Sequence, residues 1–233
     1  MQFYDPHLYR YIDGWHSPRL GMHMPIVTYG HAGHPLLLFP TAQADFLEYE
    51  RWLMIKVLEP HLFAGRVRVY SIDSINKHAW MNKSVSIPEC ARRQALYMGY
   101  VEEEVVPYIR HHSNGQRICT SGASWGAFHA ANALFRRPDL FDSTVAMSGF
   151  YDLEPLYTKG YKSDEVYFNN PVAYLSNMAE GGTLDLLRHA CQIHILTGQG
   201  AYEAPKKSEQ LSEVLWQKGI WHNLDKWGHD VDH

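Results

Sequence analysis

The sequence has little cysteine and no long apolar run. Its three cysteines, Cys90, Cys119 and Cys191, are widely spaced and odd in number, which excludes a disulfide framework and a zinc cluster. No run of about 18 apolar residues occurs, and the first residues lack a basic region followed by an apolar core. We therefore expect no membrane span, no secretion signal and a cytoplasmic location.

A strong charge of either sign is also missing. The formal net charge is −4 and there is no long basic run, which argues against a nucleic-acid partner and against a disordered acidic tail. We expect a small-molecule partner, and the sequence leaves a homo-oligomer open. Linkers rich in Pro or Gly are absent too. With 233 residues, 45% of them hydrophobic, the chain is expected to form a single domain over 1–233.

Short apolar runs alternate with helical patterns along the chain. Strands are predicted at 21–29, Leu36–Phe39, Val67–Ile72, Arg117–Thr120, Thr144–Met147, Ile193–Leu196 and His222–Trp227, and helices at Asp45–Leu58, Pro88–Ile109, Trp125–Arg136 and Lys206–Lys218. This order indicates an α/β fold with a mostly parallel central sheet and helices on both faces. Ligands bind such sheets where the carboxyl ends of the strands open into loops. Tyr49, Trp52 and Met54, in the first of these helices, are expected in the core.

One motif nominates a nucleophile. Gly122-Ala123-Ser124-Trp125-Gly126 matches Gly-x-Ser-x-Gly and lies between a predicted strand and a predicted helix. A sharp turn of this kind exposes a serine hydroxyl beside backbone N–H groups, and the two glycines make the turn sterically accessible. Ser124 is therefore the candidate nucleophile. The structural alternative is a tight glycine turn with an unreactive serine.

Hydrolases built on this turn take an acid and then a histidine from loops after later strands. His229 and His233 both follow the last predicted strand, so both are candidates for the base. Glu203 is the only carboxylate in the loop after Ile193–Leu196, and Asp152 is the reserve candidate for the acid. Glu203 could instead stabilise the start of the following helix through the helix dipole.

An oxyanion hole needs two N–H donors. The backbone N–H of Trp125, directly after the nucleophile, is the first, and the N–H of Ala42 or Gln43, in the loop after Phe39, is the second, with Ala42 preferred. Thr41, Gln43, Tyr151 and Tyr202 are candidate substrate-binding residues, although Thr41 and Gln43 could simply shape their turn. Tyr151 belongs to an aromatic stretch before Pro171 that either roofs a pocket or packs on the core.

Together these stretches resemble the putative-esterase family of α/β hydrolases, which includes esterase D, feruloyl esterases and mycolyltransferases. The likeness rests on Leu36–Pro40 leading into Glu48-Tyr49-Glu50, on the motif at Ser124, on Arg137–Phe141 followed by Met147-Ser148-Gly149, on Asn169-Asn170-Pro171 and on the terminus from Trp227 to His233. The resemblance implies an α/β-hydrolase fold, a serine mechanism without metal or cofactor, and cleavage of small acyl esters.

The chain departs from the family pattern in three places. Ala201 stands where many members have an aspartate, so Glu203 is left as the candidate for the acid that pairs with the histidine. Pro40-Thr41-Ala42 stands where many have His-Gly-Gly. Members also continue past their terminal histidine into a closing helix. Family spacing favours His233 over His229, and since a base at the last residue would fray, we expect the sequence to be truncated at its C-terminal end.

Two further functions follow from the same features. The missing aspartate and the abrupt terminus fit a catalytically silent α/β-hydrolase module that binds a ligand or partner. An acyltransferase would use the same acyl-enzyme and differ only in what accepts the acyl group.

Overall fold

A single sheet of eight strands organises the part of the chain that the computed structural model describes, residues 3–231. In chain order the strands are β1 (Arg10–Ser17), β2 (Met22–Tyr29), β3 (His34–Phe39), β4 (Val67–Ile72), β5 (Ile118–Ala123), β6 (Phe141–Met147), β7 (Gln192–Thr197) and β8 (Asn223–Lys226). Their order across the sheet is β1-β2-β4-β3-β5-β6-β7-β8. The pairs β1/β2 and β2/β4 are antiparallel and the rest are parallel.

Nine α-helices connect these strands within the described residues. They are α1 (Glu48–Arg51), α2 (Met54–Phe63), α3 (Ile87–Tyr100), α4 (Val106–His112), α5 (Trp125–Arg136), α6 (Asp164–Tyr167), α7 (Pro171–Ser176), α8 (Gly182–His189) and α9 (Pro205–Gln217). Short π-helical turns occur at Val101–Val105 and Glu154–Thr158, and a 3-10 turn at Asn76–His78. None of the helices described is long and apolar enough to cross a membrane.

The two faces of the sheet carry two apolar clusters, because neighbouring strand residues point to opposite faces. Leu37 belongs to the larger cluster, with residues of α3, α5, α7 and α9. Leu38 belongs to the smaller cluster, with residues of α1 and α2. Helices thus cover both faces, as predicted. Of the cysteines, Cys90 is buried and the other two are partly buried, and burial raises the pKa of all three thiols.

The structure corrects the predicted helix at Asp45–Leu58. It begins later and is broken, because Leu53 adopts a left-handed φ of 63° that separates α1 from α2. This break turns the side chain of Trp52 to solvent, where 78% of its surface is exposed, so its prediction as a core residue was wrong. Tyr49 is buried as predicted, and Met54 packs against the smaller cluster.

The long helix predicted at Pro88–Ile109 is present with a defect in its middle. Its backbone widens into the π turn at Val101–Val105 before continuing as α4 to His112. Pro107 has no N–H to donate to the preceding turn, which explains a local departure from regular hydrogen bonding. Strand β1, which the sequence did not predict, lies at the sheet edge with Tyr11 and Ile12 exposed.

The carboxyl ends of four parallel strands are aligned by hydrogen bonds that continue just past each strand. The N–H of Ser124 bonds the carbonyl of Met147 at 2.9 Å, and the N–H of Ser148 bonds the carbonyl of Leu196 at 2.7 Å. At the next pair, the N–H of Trp227 bonds Thr197 at 2.8 Å. The loops after β5, β6, β7 and β8 therefore leave the sheet at one edge, where a doubly wound sheet binds its ligands.

Candidate active site

Ser124 lies at a strained corner of the backbone. Strand β5 ends at Ala123 and α5 begins at Trp125, while Ser124 between them has φ 55° and ψ −117°, a conformation that L-residues rarely adopt. A Cβ at Gly122 would lie 2.4 Å from the carbonyl carbon of Gly126, and a Cβ at Gly126 would lie 2.2 Å from the carbonyl oxygen of Phe39. Both glycines are thus required by close backbone packing, as the motif predicted.

A small cavity of about 160 Å³ opens beside this corner. It is lined by Ser124, Ser148, Gly149, Phe150, Leu156, Tyr157, Tyr202, Glu203, Ala204 and Lys207. The lining combines Phe150, Leu156 and two tyrosine rings with two serine hydroxyls, one carboxylate and one ammonium group, and polar atoms make up more of its surface than apolar ones. Convergent polar groups beside a few apolar side chains can both orient a small organic ligand and bind its apolar part.

Glu203 is held in this cavity by two hydroxyl groups. Ser148 Oγ donates to Oε1 at 2.6 Å, and Thr197 Oγ1 donates to Oε2 at 3.2 Å. Ser148 follows β6 with a left-handed φ of 48°, so a second strained serine directs its side chain toward the carboxylate. The structure thus brings Ser124 and Glu203 to one cavity.

The chain after β8 packs onto the loop that carries Glu203. A Cβ at Gly198 would lie 2.4 Å from the carbonyl oxygen of Val231 and 2.9 Å from Cγ of Glu203, so both border the same glycine. The N–H of Gly200 also bonds the Val231 carbonyl at 3.0 Å. The described chain up to Val231 therefore lies on the side of the sheet edge where Glu203 lies.

The two histidine candidates differ in what the structure describes. His229 is exposed, and its Nδ1 lies 3.1 Å from the carbonyl oxygen of Gln199. It does not line the cavity at Ser124. His233 lies outside the described residues.

Asp152, the reserve acid, is engaged by groups outside the cavity at Ser124. Its Oδ1 accepts from Asn170 Nδ2 at 2.8 Å and from the N–H of Glu154 at 3.0 Å, and its Oδ2 lies 3.4 Å from Gln210 Nε2. These bonds tie the loop after β6 to α7 and α9, and Asp152 does not line the cavity. Its contacts are those of a structural carboxylate.

The predicted oxyanion loop after β3 is organised by a buried carboxylate. Both the N–H and the hydroxyl of Thr41 donate to Glu48, which is 5% exposed. The hydroxyl of Thr41 is therefore engaged inside the loop, which assigns this residue to the turn. Ala42 packs partly buried against the larger cluster, and Gln43 is exposed.

Tyr151 and Tyr202 end up in opposite environments. The ring of Tyr151 is 1% exposed and its hydroxyl lies against the backbone at Gly149, so it packs in the core and does not line the cavity. This corrects the prediction of Tyr151 as a substrate-binding residue, because this aromatic side chain after β6 packs into the hydrophobic core. Tyr202 is 82% exposed and lies at the rim of the cavity beside Glu203.

An aromatic layer supports the cavity from below. The ring of Trp125, 2% exposed, packs against Trp80, Phe150 and Tyr157 at centroid distances of 6.5, 4.8 and 4.7 Å. His129, one turn further along α5, lies 5.7 Å from the Trp125 ring. This layer packs against the first turn of α5, the helix that follows Ser124.

His129 is fully buried in a polar network within this layer. Its Nε2 lies 3.1 Å from Asn76 Oδ1 and its Nδ1 lies 3.4 Å from Gln94 Nε2, while Gln94 accepts from Trp80 Nε1 at 3.3 Å. Burial lowers the pKa of His129 to about 3, so the ring is neutral. With a carbonyl acceptor at Nε2 and an amide donor at Nδ1, the proton is assigned to Nε2.

Besides several apolar and aromatic residues, the sequence analysis did not identify a serine and a lysine that line the cavity, Ser148 and Lys207. Ser148 carried one usable signal, because it directly follows a predicted strand, where site residues of parallel sheets collect. Lys207 carried none, since a lysine in the first turn of a helix is ordinarily a solvated surface residue. Its Nζ lies 5.8 Å from the centroid of the Phe150 ring, which forms one wall of the cavity.

Two larger clefts lie away from Ser124. One, of about 400 Å³, is bordered by Phe135 and Phe168, and the arginines in it are paired with acidic residues. The other, of about 490 Å³, is bordered by His34 and Gln192, the first residues of β3 and β7, and thus lies at the opposite edge of the sheet. The candidate site is therefore identified by the strained backbone conformation of Ser124 and not by the volume of its cavity.

Comparison with known families bears directly on this arrangement. A model of the family described as putative esterase matches residues 65–232, a span that includes Ser124, Ser148 and Glu203. The chain belongs to the putative esterase family. Membership in the esterase family makes it an enzyme of the esterase class. No curated protein matches the sequence.

Solved structures similar to this esterase-family chain share its architecture. A ferulic acid esterase matches with a TM-score of 0.73 and 17% identity, covering 96% of this chain and 91% of its own. The fluorophosphonate-binding serine hydrolase F of Staphylococcus aureus, solved with substrate bound, has a TM-score of 0.70 at 14% identity, covering 96% and 92%. An S-formylglutathione hydrolase of Staphylococcus aureus has 0.67 at 16%, covering 96% and 90%. At these identities the likeness confirms the α/β-hydrolase fold alone.

Proposed function

We propose that the protein is a serine esterase that cleaves small carboxylic esters through an acyl-enzyme on Ser124. The observation that carries the proposal is the left-handed corner at Ser124, which opens onto the same cavity as Glu203. A serine in such a corner is exposed to substrate and lies beside the N–H groups that begin the helix.

In the proposed mechanism, Ser124 Oγ attacks the carbonyl carbon of the ester while a histidine takes its proton. The tetrahedral oxyanion is stabilised by the N–H groups of Trp125 and Ala42. The bond to the alcohol oxygen then breaks, and the histidine donates the proton to that oxygen. Water, deprotonated by the same histidine, attacks the acyl-enzyme and releases the carboxylic acid and free Ser124.

We assign the acid of this mechanism to Glu203 and the base to His233. Glu203 holds two hydroxyl donors and still has lone pairs for an imidazole N–H, since an ionised carboxylate offers about four acceptor positions. Val231 borders the same glycine as Glu203, which supports a histidine two residues further on rather than the exposed His229.

The dimensions of the cavity favour a short acyl group. Its volume of about 160 Å³ is well below the roughly 300–1,000 Å³ of pockets for drug-sized ligands. Phe150, Leu156 and Tyr157 supply apolar walls for a few methylene groups. Turnover should therefore fall as the acyl chain is lengthened from acetate to decanoate in a series of p-nitrophenyl esters.

Substitution combined with covalent labelling tests the proposal. Wild type should hydrolyse p-nitrophenyl acetate and react with a fluorophosphonate, with the adduct located on Ser124 by mass spectrometry. Ser124→Ala should lose both properties. Ser148→Ala is the matched control, a strained serine in the same cavity, and should still be labelled on Ser124. Labelling of Ser148, or hydrolysis by Ser124→Ala at the wild-type rate, would contradict the proposal.

The histidine assignment has its own test. His233→Ala should reduce the rate of labelling and of hydrolysis by at least about 1,000-fold, because the serine loses its general base. His229→Ala is the matched control and should stay within a few-fold of wild type. The reverse pattern would transfer the role of base to His229 and leave Ser124 as nucleophile.

A further inference from the structure

The ends of β3 and β5 are joined through the hydroxyl of one buried tyrosine. Tyr49 Oη donates to the carbonyl oxygen of Phe39 at 2.8 Å and accepts from the N–H of Ala123 at 3.2 Å. The side chain, on α1, is 6% exposed. Burial raises the pKa of this hydroxyl well above its usual value, so it stays protonated and acts as both donor and acceptor.

This hydroxyl takes the place of a direct bond between the strands. The register of β3 and β5 ends where Phe39 pairs with Gly122. A carbonyl on one strand and the N–H one residue beyond its partner are the groups that bond each other in a parallel ladder. Here the oxygen of Tyr49 lies between these groups, bonded to both. Tyr49 therefore fixes how far apart the two strands end.

Both proposed donors of the oxyanion hole depend on these strand ends. The N–H of Trp125 lies two residues past Ala123, and the N–H of Ala42 lies three residues past Phe39. Beyond Pro40, Glu48 accepts two hydrogen bonds from Thr41. Glu48 and Tyr49, consecutive residues of α1, thus hold the loop on both sides of Pro40.

We propose that Tyr49 is a positioning residue that sets the separation of the two oxyanion donors by acting as a one-atom spacer between β3 and β5. The inference rests on the proposed function. Donors must lie about 2.7–3.1 Å from the oxyanion to stabilise it, and a misplacement of about 1 Å costs on the order of a hundredfold in rate. A hydroxyl inserted into the ladder places one oxygen atom between the two strand ends and so sets that spacing.

The test is Tyr49→Phe, which keeps the buried ring and removes only the spacer. We expect kcat for p-nitrophenyl acetate to fall by about 10- to 100-fold with little change in KM, since the oxyanion exists only after attack. The affinity for a trifluoromethyl ketone, which forms a hemiketal oxyanion with the serine, should fall by a similar factor.

Tyr29→Phe is the matched control. Tyr29 packs in the same cluster and donates to Glu50 Oε2 at 2.7 Å, so its loss also removes one buried hydrogen bond. Both variants should melt at a lower temperature than wild type, and only Tyr49→Phe should lose kcat and ketone affinity. Thr41→Val, which removes one bond to Glu48, should reduce kcat in the same selective way and carries the test if Tyr49→Phe fails to fold.

The outcomes separate this inference from the proposed function. If wild type hydrolyses the ester and is labelled on Ser124, unchanged kcat and ketone affinity in Tyr49→Phe would overturn the role of Tyr49 alone. An equal loss of kcat in the Tyr29 control would also overturn it, because the effect would then be general destabilisation. If wild type is neither active nor labelled, the serine mechanism itself fails.

Discussion

Acidification should destabilise this fold through one buried imidazole. His129 is neutral in the folded protein because burial lowers its pKa to about 3, from an ordinary value of 6.5 that applies when the chain is unfolded. Below pH 6.5 the unfolded chain therefore binds a proton that the folded chain does not. The stabilisation is complete above pH 6.5 and is lost as the pH falls toward 3.

The size of this effect follows from the two pKa values. Linkage gives a loss of about 2 kcal/mol in the free energy of unfolding between pH 8 and pH 5, and about 3 kcal/mol by pH 4. For a domain with an unfolding free energy of about 5–15 kcal/mol, this is a large fraction of the total. The proposed nucleophile is affected directly, because Ser124 immediately precedes α5, which carries His129.

Urea unfolding followed by circular dichroism at pH 8, 6 and 5 measures the effect. The variant His129→Gln cannot titrate, so its loss of stability between pH 8 and 5 should be smaller than that of wild type by about 2 kcal/mol, whatever the substitution costs at pH 8. His61→Gln, at an exposed site on α2, is the control and should follow wild type. Equal pH slopes in wild type and His129→Gln would refute the reasoning.

Three shorter predictions concern the site. Glu203→Gln should lower kcat/KM by about 100-fold or more, whereas Asp152→Asn should lower stability and leave kcat/KM within a few-fold, as esterase assays and thermal melts will show. Gly126→Ala should yield little folded protein, measured as soluble yield and melting temperature, because its Cβ would lie 2.2 Å from the Phe39 carbonyl oxygen. Lys207→Glu should raise KM for p-nitrophenyl hemisuccinate relative to p-nitrophenyl butyrate by several-fold, because the ammonium group at the cavity attracts an anionic acyl group.

The parts of the site that the sequence predicted are those set by local chemistry. The corner at Ser124 depends on two glycines within two residues of it, so the motif predicted it completely. The parallel strands were visible as short apolar runs, because a strand buried on both faces needs apolar residues on both. Strand β1 was not predicted because its outer face is exposed, with Tyr11 51% accessible. Its sequence therefore lacks the apolar run that is typical of a buried strand.

The features that the sequence did not predict depend on contacts across the fold. The break at Leu53 has no glycine or proline to signal it, so a continuous helix was the natural expectation, and Trp52 was placed in the core. Tyr49 was correctly expected to be buried, yet the partners of its hydroxyl lie 10 and 74 residues away in the chain. Burial follows from a local pattern, whereas the pairing of polar atoms is decided by the assembled sheet.

The environment of Glu203 bears on the choice between a helix-stabilising and a catalytic carboxylate. Helix α9 begins at Pro205 with Ala204 as its N-cap, and no side chain caps it by a hydrogen bond. The carboxylate instead accepts hydroxyl bonds from the ends of β6 and β7. Dipole stabilisation of an exposed helix start is worth about 0.3–1 kcal/mol and would not require two fixed donors, one of them a serine in a strained conformation. The imidazolium of the proposed mechanism needs a carboxylate held in a fixed orientation, and hydroxyl bonds to both oxygens of Glu203 supply that.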